Sequence, residues 1–318
     1  MQNIIINGSI RSGTTWLLDT LTAYNKFYPI FEPDNTFQDA IDMKLRYRYL
    51  DPEEEYPEVN NFFKKLFNNK AFQLNRKHNL PKKIEVLLET KRKFDYKFIY
   101  NNKTPIIKFT RGHLFLNYLK KNFNTKNIII FRHPLAVANS AFRKSYTIAH
   151  YEEIFDERQH AFFEKYPEYY DKVQKALKLL SYSSMYSIHT STYERHMKIF
   201  LINWFFVNTY LLNEYKANNN LGFRIFYENL FMKEIDGFKE ILNFLNMNNN
   251  TKILSNVRNL SHSSNDSNNI YIKKSEHLQN PINIINNNIK RYYYQLIDIF
   301  ENDIYTDMME PNSNSSLL

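Results

Sequence analysis

The first seventeen residues constrain the fold of this chain more than any other stretch. The apolar run 4–6 predicts a buried strand, and the segment from Thr14 onward predicts a helix with apolar residues on one face. The loop between them begins at Gly8 and ends at Gly13. A strand, a glycine loop and a helix in this order predict a phosphate-binding site, because the loop amides and the helix N-terminus point at one spot.

The two glycines have the spacing of a P-loop, in which the second glycine is followed by Lys and then Ser or Thr. Here the two following residues are Thr14 and Thr15, and the cation lies inside the loop at Arg11. A nucleotide triphosphatase needs the lysine and Mg²⁺ to hold its phosphates, so this sequence favours a less charged transferred group and no metal. An ordinary strand-to-helix turn, with glycines only for tightness, is the alternative interpretation.

Residues 11–17, Arg-Ser-Gly-Thr-Thr-Trp-Leu, resemble the 5′-phosphosulfate loop of sulfotransferases that use 3′-phosphoadenosine 5′-phosphosulfate (PAPS). The resemblance implies that PAPS is the sulfuryl donor and that it is bound by Arg11, Ser12, Gly13, Thr14, Thr15 and Trp16. It also implies that Arg11 is catalytic, because its charge stabilises the leaving phosphate. Cytosolic members carry Lys at this position and many carbohydrate sulfotransferases carry Arg, so the resemblance favours the carbohydrate branch.

A second constellation begins at Arg132, directly after the apolar run 127–131. A side chain there projects from the carboxyl end of a predicted strand, where ligands bind in open α/β sheets. Arg132 followed eight residues later by Ser140 resembles the family's 3′-phosphate motif, which implies that both residues hold that phosphate. His133 stands where the family usually has an acid or Asn, so its role is open. A strand-end arginine paired with a surface acid is the alternative interpretation.

Two residues compete for the role of general base. Phe31-Glu32-Pro33 follows the predicted strand 27–31 and resembles an aromatic-Glu-Pro motif of carbohydrate sulfotransferases, whose glutamate is the proposed base. A carboxylate can be unprotonated at the working pH, as a base must be. A carboxylate that only caps a helix is the alternative.

His113 is the rival base, because cytosolic sulfotransferases have Lys-Thr-His at a similar place and use that histidine. In this chain Lys108 and His113 are five positions apart rather than two. A single histidine at a helix start is more often structural. Further along, residues 227–230, Tyr-Glu-Asn-Leu, resemble the Tyr-Glu-Asp-Leu stretch that flanks the adenine, which implies a donor-binding role for Tyr227, with Trp16 as a second stacking candidate.

The alternation of apolar runs and helical patterns predicts an α/β fold, with a P-loop-like parallel sheet and helices on both faces. Strands are predicted at 4–6, 27–31, 106–109, 127–131 and 223–227. Helices are predicted from 14, over much of 38–94 with breaks at Pro52, Pro57 and Pro81, and at 113–121, 134–145, 194–215, 234–245 and 283–301. Loops are predicted at 255–280 and a frayed tail at 310–318. We expect one domain over residues 1–318, with a helical insertion or lid at 146–215.

The formal net charge of +9 suits an anionic ligand but does not choose among a nucleotide, a polysaccharide and a nucleic acid. The chain has no cysteine, so it has neither disulfides nor a cysteine-based metal site. Its start does not read as a signal peptide, and the apolar run 199–212 is too short and too polar to span a membrane. We therefore expect a cytoplasmic protein without a membrane span.

Together these features predict a PAPS-dependent sulfotransferase that needs no metal. Its partners would be the nucleotide donor and a hydroxyl-bearing acceptor, for which a carbohydrate is the leading candidate, with no nucleic acid. A small-molecule P-loop kinase remains an alternative, although Thr14 in the lysine position argues against it. A nucleic-acid-binding module is a third reading, supported by the basic charge and the many aromatic residues, but the basic residues are dispersed. The acceptor and the oligomeric state stay open.

Overall fold

A computed structural model of the chain describes residues 2–23, 26–68, 103–143, 157–186, 192–218, 220–232, 235–247 and 287–301. Within these ranges five strands form one sheet: β1 (Ile4–Asn7), β2 (Phe27–Phe31), β3 (Thr104–Phe109), β4 (Lys126–Phe131) and β5 (Phe223–Phe226). All neighbouring strands are parallel, in the order β2-β3-β1-β4-β5. The predicted α/β fold with a parallel sheet is confirmed.

Strand β1 lies at the centre of the sheet, between β3 and β4. The loop after β1 therefore leaves the middle of the carboxyl edge, flanked by the segments that follow β3 and β4. In parallel sheets this edge is where ligands bind, so the strand order alone brings the predicted site residues to one place.

The helices of the described ranges are α1 (Thr14–Thr22), α2 (Pro33–Thr36), α3 (Gln38–Asp42), α4 (Pro57–Phe67), α5 (Leu116–Phe123), α6 (Pro134–Arg143), α7 (His160–Lys165), α8 (Pro167–Tyr186), α9 (Thr192–Ala217), α10 (Tyr227–Met232), α11 (Ile235–Phe244) and α12 (Asn287–Phe300). Short 3₁₀ turns at His113–Phe115 and Glu157–Gln159 precede α5 and α7. None of these helices is both long enough and apolar enough to cross a membrane.

Successive strand residues point to opposite faces of the sheet, and each face has its own core. Ile6 and Ile130 face a smaller core that α1 and α11 close. Ile5 and Phe131 face a larger, aromatic core in which α9 is the central helix and α4, α5, α8 and α12 take part. Each fully buried Leu or Phe contributes about 1.5–3 kcal/mol, so both faces need their helices, as predicted.

Two parts of the sequence-based prediction are wrong. The helical interpretation of 38–94 fails over 43–56, where Lys44 and Tyr47 have φ angles of 50° and 54° that no right-handed helix accepts. The amide of Tyr47 instead donates to the carbonyl of Arg111, which ties this segment to the chain after β3. Tyr227 was predicted to end the last strand, but pairing with β4 stops at Phe226 and Tyr227 begins α10.

Within the predicted insertion, α7 and α8 pack along α9 through a cluster of rings that includes Phe162, Phe206 and Tyr210. Whether this region acts as a lid stays a prediction. The predicted loop at 255–280, the tail at 310–318 and the helical pattern over 69–94 lie outside the described residues.

Candidate active site

The loop between β1 and α1 turns through two left-handed residues. Arg11 has a φ of 68° and Gly13 has a φ of 94°. A Cβ atom at Gly13 would lie 2.3 Å from two ring carbons of Tyr227. Glycine at this position thus allows both the backbone turn and the close approach of the tyrosine ring.

Hydrogen bonds hold Arg11 in its left-handed conformation from two sides. Arg132 Nη1 donates to the Arg11 carbonyl at 2.7 Å, and Arg11 Nε donates to the Ser140 hydroxyl at 3.1 Å. The left-handed region costs a non-glycine residue about 1–2 kcal/mol, which these bonds offset. From the sequence, Arg11 was assigned to the 5′-phosphosulfate, and Arg132 and Ser140 were assigned to the 3′-phosphate. The structure brings these three residues into contact.

The N-terminus of α1 is open to an anion. Gly13 is its N-cap residue, no side chain caps its first amides, and its first turn carries no acidic residue. The first amides of a helix have no partner within the helix, so they attract negative charge. Ser12 contributes to the shape of this loop, since its buried hydroxyl donates to the carbonyl of Ser9.

The Arg132 guanidinium also lies on the ring of Tyr227, 4.4 Å from the ring centroid. Next to it, Glu228 Oε1 accepts a hydrogen bond from the His133 amide at 3.0 Å. Burial raises the pKa of the Glu228 carboxyl, and the charge of Arg132 opposes that shift. His133 Nδ1 accepts from the amide of Leu135 at 3.3 Å, which gives His133 a local role at the start of α6.

On the other side of the loop, a buried lysine joins the loop to the predicted base. Lys108 Nζ donates to Thr15 Oγ1 at 2.9 Å and to Glu32 Oε1 at 2.8 Å. The Lys108 residue is only 2% exposed, and Nζ lies 3.7 Å from the centroid of the Phe31 ring. Lys108 lies in β3 opposite Phe31, the last residue of β2, and Glu32 follows directly. The pairing of these two strands therefore brings Lys108 and Glu32 into contact.

The charges around Glu32 keep it ionised. Burial would raise the pKa of the Glu32 carboxyl, but Lys108 and Arg111 outweigh burial and lower it below its usual value. Arg111 Nη1 lies 3.7 Å from Glu32 Oε2. Burial lowers the pKa of Lys108, and the Glu32 charge opposes that change. Glu32 is the N-cap residue of α2 but its side chain makes no capping bond, so the ion pair, rather than helix capping, accounts for its position.

Asp34 is a second carboxyl in this region and is fully buried. Burial, followed by the charge of Glu32, raises the pKa of Asp34 to about 6, while Arg111 and Arg46 act in the opposite direction. The site thus contains two carboxyl groups whose environments move their pKa values apart.

Among the described residues, His113 has no ionic partner of this kind. It is 1% exposed, and burial alone lowers the pKa of its imidazole to about 3. Neither ring nitrogen has a hydrogen-bond partner among the described residues. Trp16, the second stacking candidate, packs edge-to-face on Phe238 of α11 with a centroid distance of 6.5 Å.

The sulfotransferase domain family matches residues 1–291 of the chain. This chain belongs to the sulfotransferase family. The predicted family and enzyme class are thereby confirmed, whereas the carbohydrate branch is not decided by this match. No curated protein sequence matches the chain significantly.

Solved sulfotransferase structures resemble the fold at low sequence identity. The mouse sulfotransferase SULT7A1 complexed with PAP superposes with a TM-score of 0.50 at 15% identity, over 96% of this chain and 88% of that chain. Retinol dehydratase in complex with androsterone and inactive cofactor PAP gives a TM-score of 0.43 at 15% identity, over 98% and 83%. The sulfotransferase domain from the curacin biosynthetic pathway gives 0.41 at 16% identity, over 79% and 76%.

Sequence reasoning missed three residues of this candidate site. Lys108, Arg111 and Asp34 all surround Glu32, and none was assigned a role from the sequence. The alternation of β3 could have indicated Lys108, because a lysine inside an apolar strand needs a buried partner. Among the described residues, no group of three or more His, Asp or Glu side chains could hold a metal ion.

Proposed function

We propose that this sulfotransferase moves a sulfuryl group from PAPS to a hydroxyl of a carbohydrate. The observation that carries the proposal is the position of Lys108, whose Nζ contacts both Thr15 at the start of α1 and the carboxylate of Glu32. One buried cation thus links the anion-binding loop to an ionised carboxylate that can accept a proton.

The donor-binding residues fit a 3′-phosphorylated nucleotide. The α1 N-terminus and Arg11 would hold the 5′-phosphosulfate, and Arg132 with Ser140 would hold the 3′-phosphate. Tyr227 and Trp16 are the proposed adenine neighbours. The mouse sulfotransferase that shares this fold was solved with PAP, which supports PAPS as the donor. PAPS supplies the activated sulfuryl group when bound.

Glu32 is the proposed general base. It accepts the proton of the attacking hydroxyl while that oxygen bonds to sulfur and the sulfur–phosphate oxygen bond breaks. Protonation neutralises Glu32, so Lys108 and Arg111 lose their counter-ion as negative charge grows on the leaving phosphate. Lys108 already contacts Thr15 of the loop, and together with Arg11 and the loop amides it would stabilise that charge.

The carbohydrate acceptor rests on two features. The aromatic-Glu-Pro motif at 31–33 resembles the carbohydrate branch, and in the structure Glu32 has the ion-pair partners expected of an ionised base. His113, the base in the cytosolic pattern, is buried and has no charged partner within the described ranges. A cytoplasmic location remains a prediction.

The direct test is an acceptor screen with ³⁵S-labelled PAPS. We expect label to pass to methyl glycosides or oligosaccharides more efficiently than to phenols and steroids, judged by kcat/KM. Better transfer to phenols would place the chain with the cytosolic pattern, and absence of transfer to every acceptor together with absence of PAP binding would contradict the proposal.

A further inference from the structure

A pocket on the opposite side of the loop from α1 contains polar groups that the mechanism does not use. It is bounded by loop residues Ser9 and Ile10, by the chain after β3, and by α9. Its enclosed volume is about 10 Å³, which is room for one water molecule or one hydroxyl group, and its mouth opens to solvent. Glu32 and Lys108 do not line it, so it is distinct from the ion pair.

Four buried side chains that line this pocket have unsatisfied hydrogen-bonding atoms. Both ring nitrogens of His113, Oδ1 of Asn203, Nε1 of Trp204 and Oγ1 of Thr110 have no partner within the described part of the chain. These residues are 1%, 5%, 1% and 3% exposed. A buried polar group without a partner costs about 1–3 kcal/mol, so groups clustered in this way indicate a site whose occupant completes their hydrogen bonds.

The pocket adjoins both reacting parts of the site. Ser9 and Ile10 belong to the loop proposed to receive the phosphosulfate. Thr110 also lines the pocket and directly precedes Arg111, whose Nη1 lies 3.7 Å from Glu32 Oε2. A hydroxyl in the pocket would therefore lie close to both the base and the donor.

The lining selects for neutral hydroxyl groups. Among the described residues, no Lys, Arg, Asp or Glu lines the pocket. Burial lowers the pKa of His113 and so keeps it uncharged, and a charged group would therefore be desolvated there without a counter-ion from the described residues. A neutral imidazole, an indole N–H and an amide oxygen offer both donors and acceptors, which match hydroxyls because each hydroxyl donates and accepts. The rings of Tyr47 and Phe200 supply apolar walls.

We propose that this pocket, through His113, Asn203 and Trp204, binds one uncharged hydroxyl group of the acceptor, next to the hydroxyl that is sulfated. The inference rests on the proposed function and narrows it: the acceptor presents a hydroxyl to this pocket, as a neutral sugar can, and not the carboxylate of a uronic acid. His113 then contacts the acceptor instead of accepting its proton.

The experiment compares Asn203→Leu with Asn213→Leu. Asn213 lies on the same helix α9 but is exposed and bonds to Tyr169, so it is a matched control outside the pocket. Each variant is assayed with methyl β-D-galactopyranoside and with methyl β-D-glucuronide as acceptors, PAP affinity is measured by calorimetry, and the thermal midpoint is recorded.

We expect Asn203→Leu to raise the KM for the neutral glycoside at least tenfold, with kcat and PAP affinity within twofold of the parent. Its thermal midpoint should not fall, because an unsatisfied buried amide is replaced by an apolar group. A purely structural asparagine would instead lower the midpoint and leave KM unchanged. His113→Phe, which removes both ring nitrogens, should repeat the KM effect and covers the case in which Asn203→Leu does not fold.

The proposal is overturned if both pocket variants behave like Asn213→Leu, as they would if only water occupies the pocket, or if the parent uses the glucuronide better than the galactoside. If PAP binds but neither glycoside is sulfated, calorimetry of the galactoside with the PAP-loaded protein decides: absence of binding also overturns the proposal. Loss of PAP binding by the parent would instead refute the proposed function.

Discussion

The donor end and the transfer end of the site hold their cations in different ways. At the donor end, Arg11 and Arg132 donate hydrogen bonds to neutral groups, the Ser140 hydroxyl and a backbone carbonyl, and burial raises the pKa of the Glu228 carboxyl near Arg132. At the transfer end, Lys108 and Arg111 are tied to the carboxylate of Glu32. A phosphate can replace a neutral partner easily, whereas a buried carboxylate holds its cations until it is protonated. The first arrangement suits binding, and the second suits coupling a proton transfer to charge on the leaving group.

Removing the carboxylate should have the largest effect. We expect Glu32→Gln to lower kcat by about 10²–10⁴, the usual contribution of a positioned base, and to leave PAP affinity nearly unchanged. The measurement is steady-state kinetics alongside calorimetry, with the exposed Glu53→Gln as control. If His113→Ala abolishes turnover while Glu32→Gln retains it, the two roles are reversed.

The pH profile alone does not separate these two bases. The pKa of Glu32 is lowered by its cations, and burial lowers the pKa of His113 to about 3. Either base would lose activity only at low pH, although an ordinary histidine, with a pKa near 6.5, would lose it earlier. The substitutions therefore carry the assignment.

Asp34 offers a second way to examine the charge of the transfer end. The fold raises the pKa of the Asp34 carboxyl from 3.8 to about 6. Below pH 3.8 this carboxyl is protonated in the folded and the unfolded protein, so it does not lower the free energy of unfolding. As the pH rises through about 6 the buried carboxyl ionises, and the free energy of unfolding falls. Asp34→Asn should remove this penalty and raise the free energy of unfolding by about 3 kcal/mol at pH 7. At pH 4 the two proteins should unfold alike. Chemical denaturation at both pH values measures this, and an Asn variant that is less stable at pH 7 would contradict the burial of an unfavourable charge.

The sequence predicted most of the fold because the strands are continuous apolar runs and the loop has fixed glycine spacing. It also predicted Arg11, Arg132 and Ser140, whose proximity follows from the order of the strands. The roles of Lys108 and Asp34 were missed. Both residues act on Glu32, and Lys108 lies inside one strand whereas Glu32 lies in the turn after another. Their contact depends on the register between the two strands, which hydrophobic patterning does not reveal. The segment 43–56 was wrongly predicted to be helical, because residues with left-handed backbone angles, such as Tyr47, do not change the hydrophobic periodicity from which helices are predicted.

At the donor end, Arg132→Ala should separate the 3′-phosphate from the rest of the nucleotide. A charge-assisted hydrogen bond contributes about 1.5–3 kcal/mol, so the affinity for PAP should fall tenfold or more while the affinity for AMP, which lacks the 3′-phosphate, changes little. Arg224→Ala removes the same charge from β5 and serves as control. Equal losses for both nucleotides would remove Arg132 from the 3′-phosphate site.

The smallest expected effect is that of a chelator. In the proposed mechanism Arg11, Lys108 and the loop amides supply the positive charge that faces the leaving phosphate, so sulfuryl transfer should continue in EDTA at an unchanged rate. A complete loss that Mg²⁺ restores would return the kinase interpretation to consideration.

The central claim is that the loop and Arg132 bind a 3′-phosphorylated adenine nucleotide instead of a triphosphate. Isothermal titration of the parent protein with PAP, and separately with ATP and Mg²⁺, tests it most directly. We predict that PAP binds at least tenfold more tightly than ATP with Mg²⁺, and that Mg²⁺ does not change PAP affinity. Tighter binding of ATP in the presence of Mg²⁺ would contradict this account.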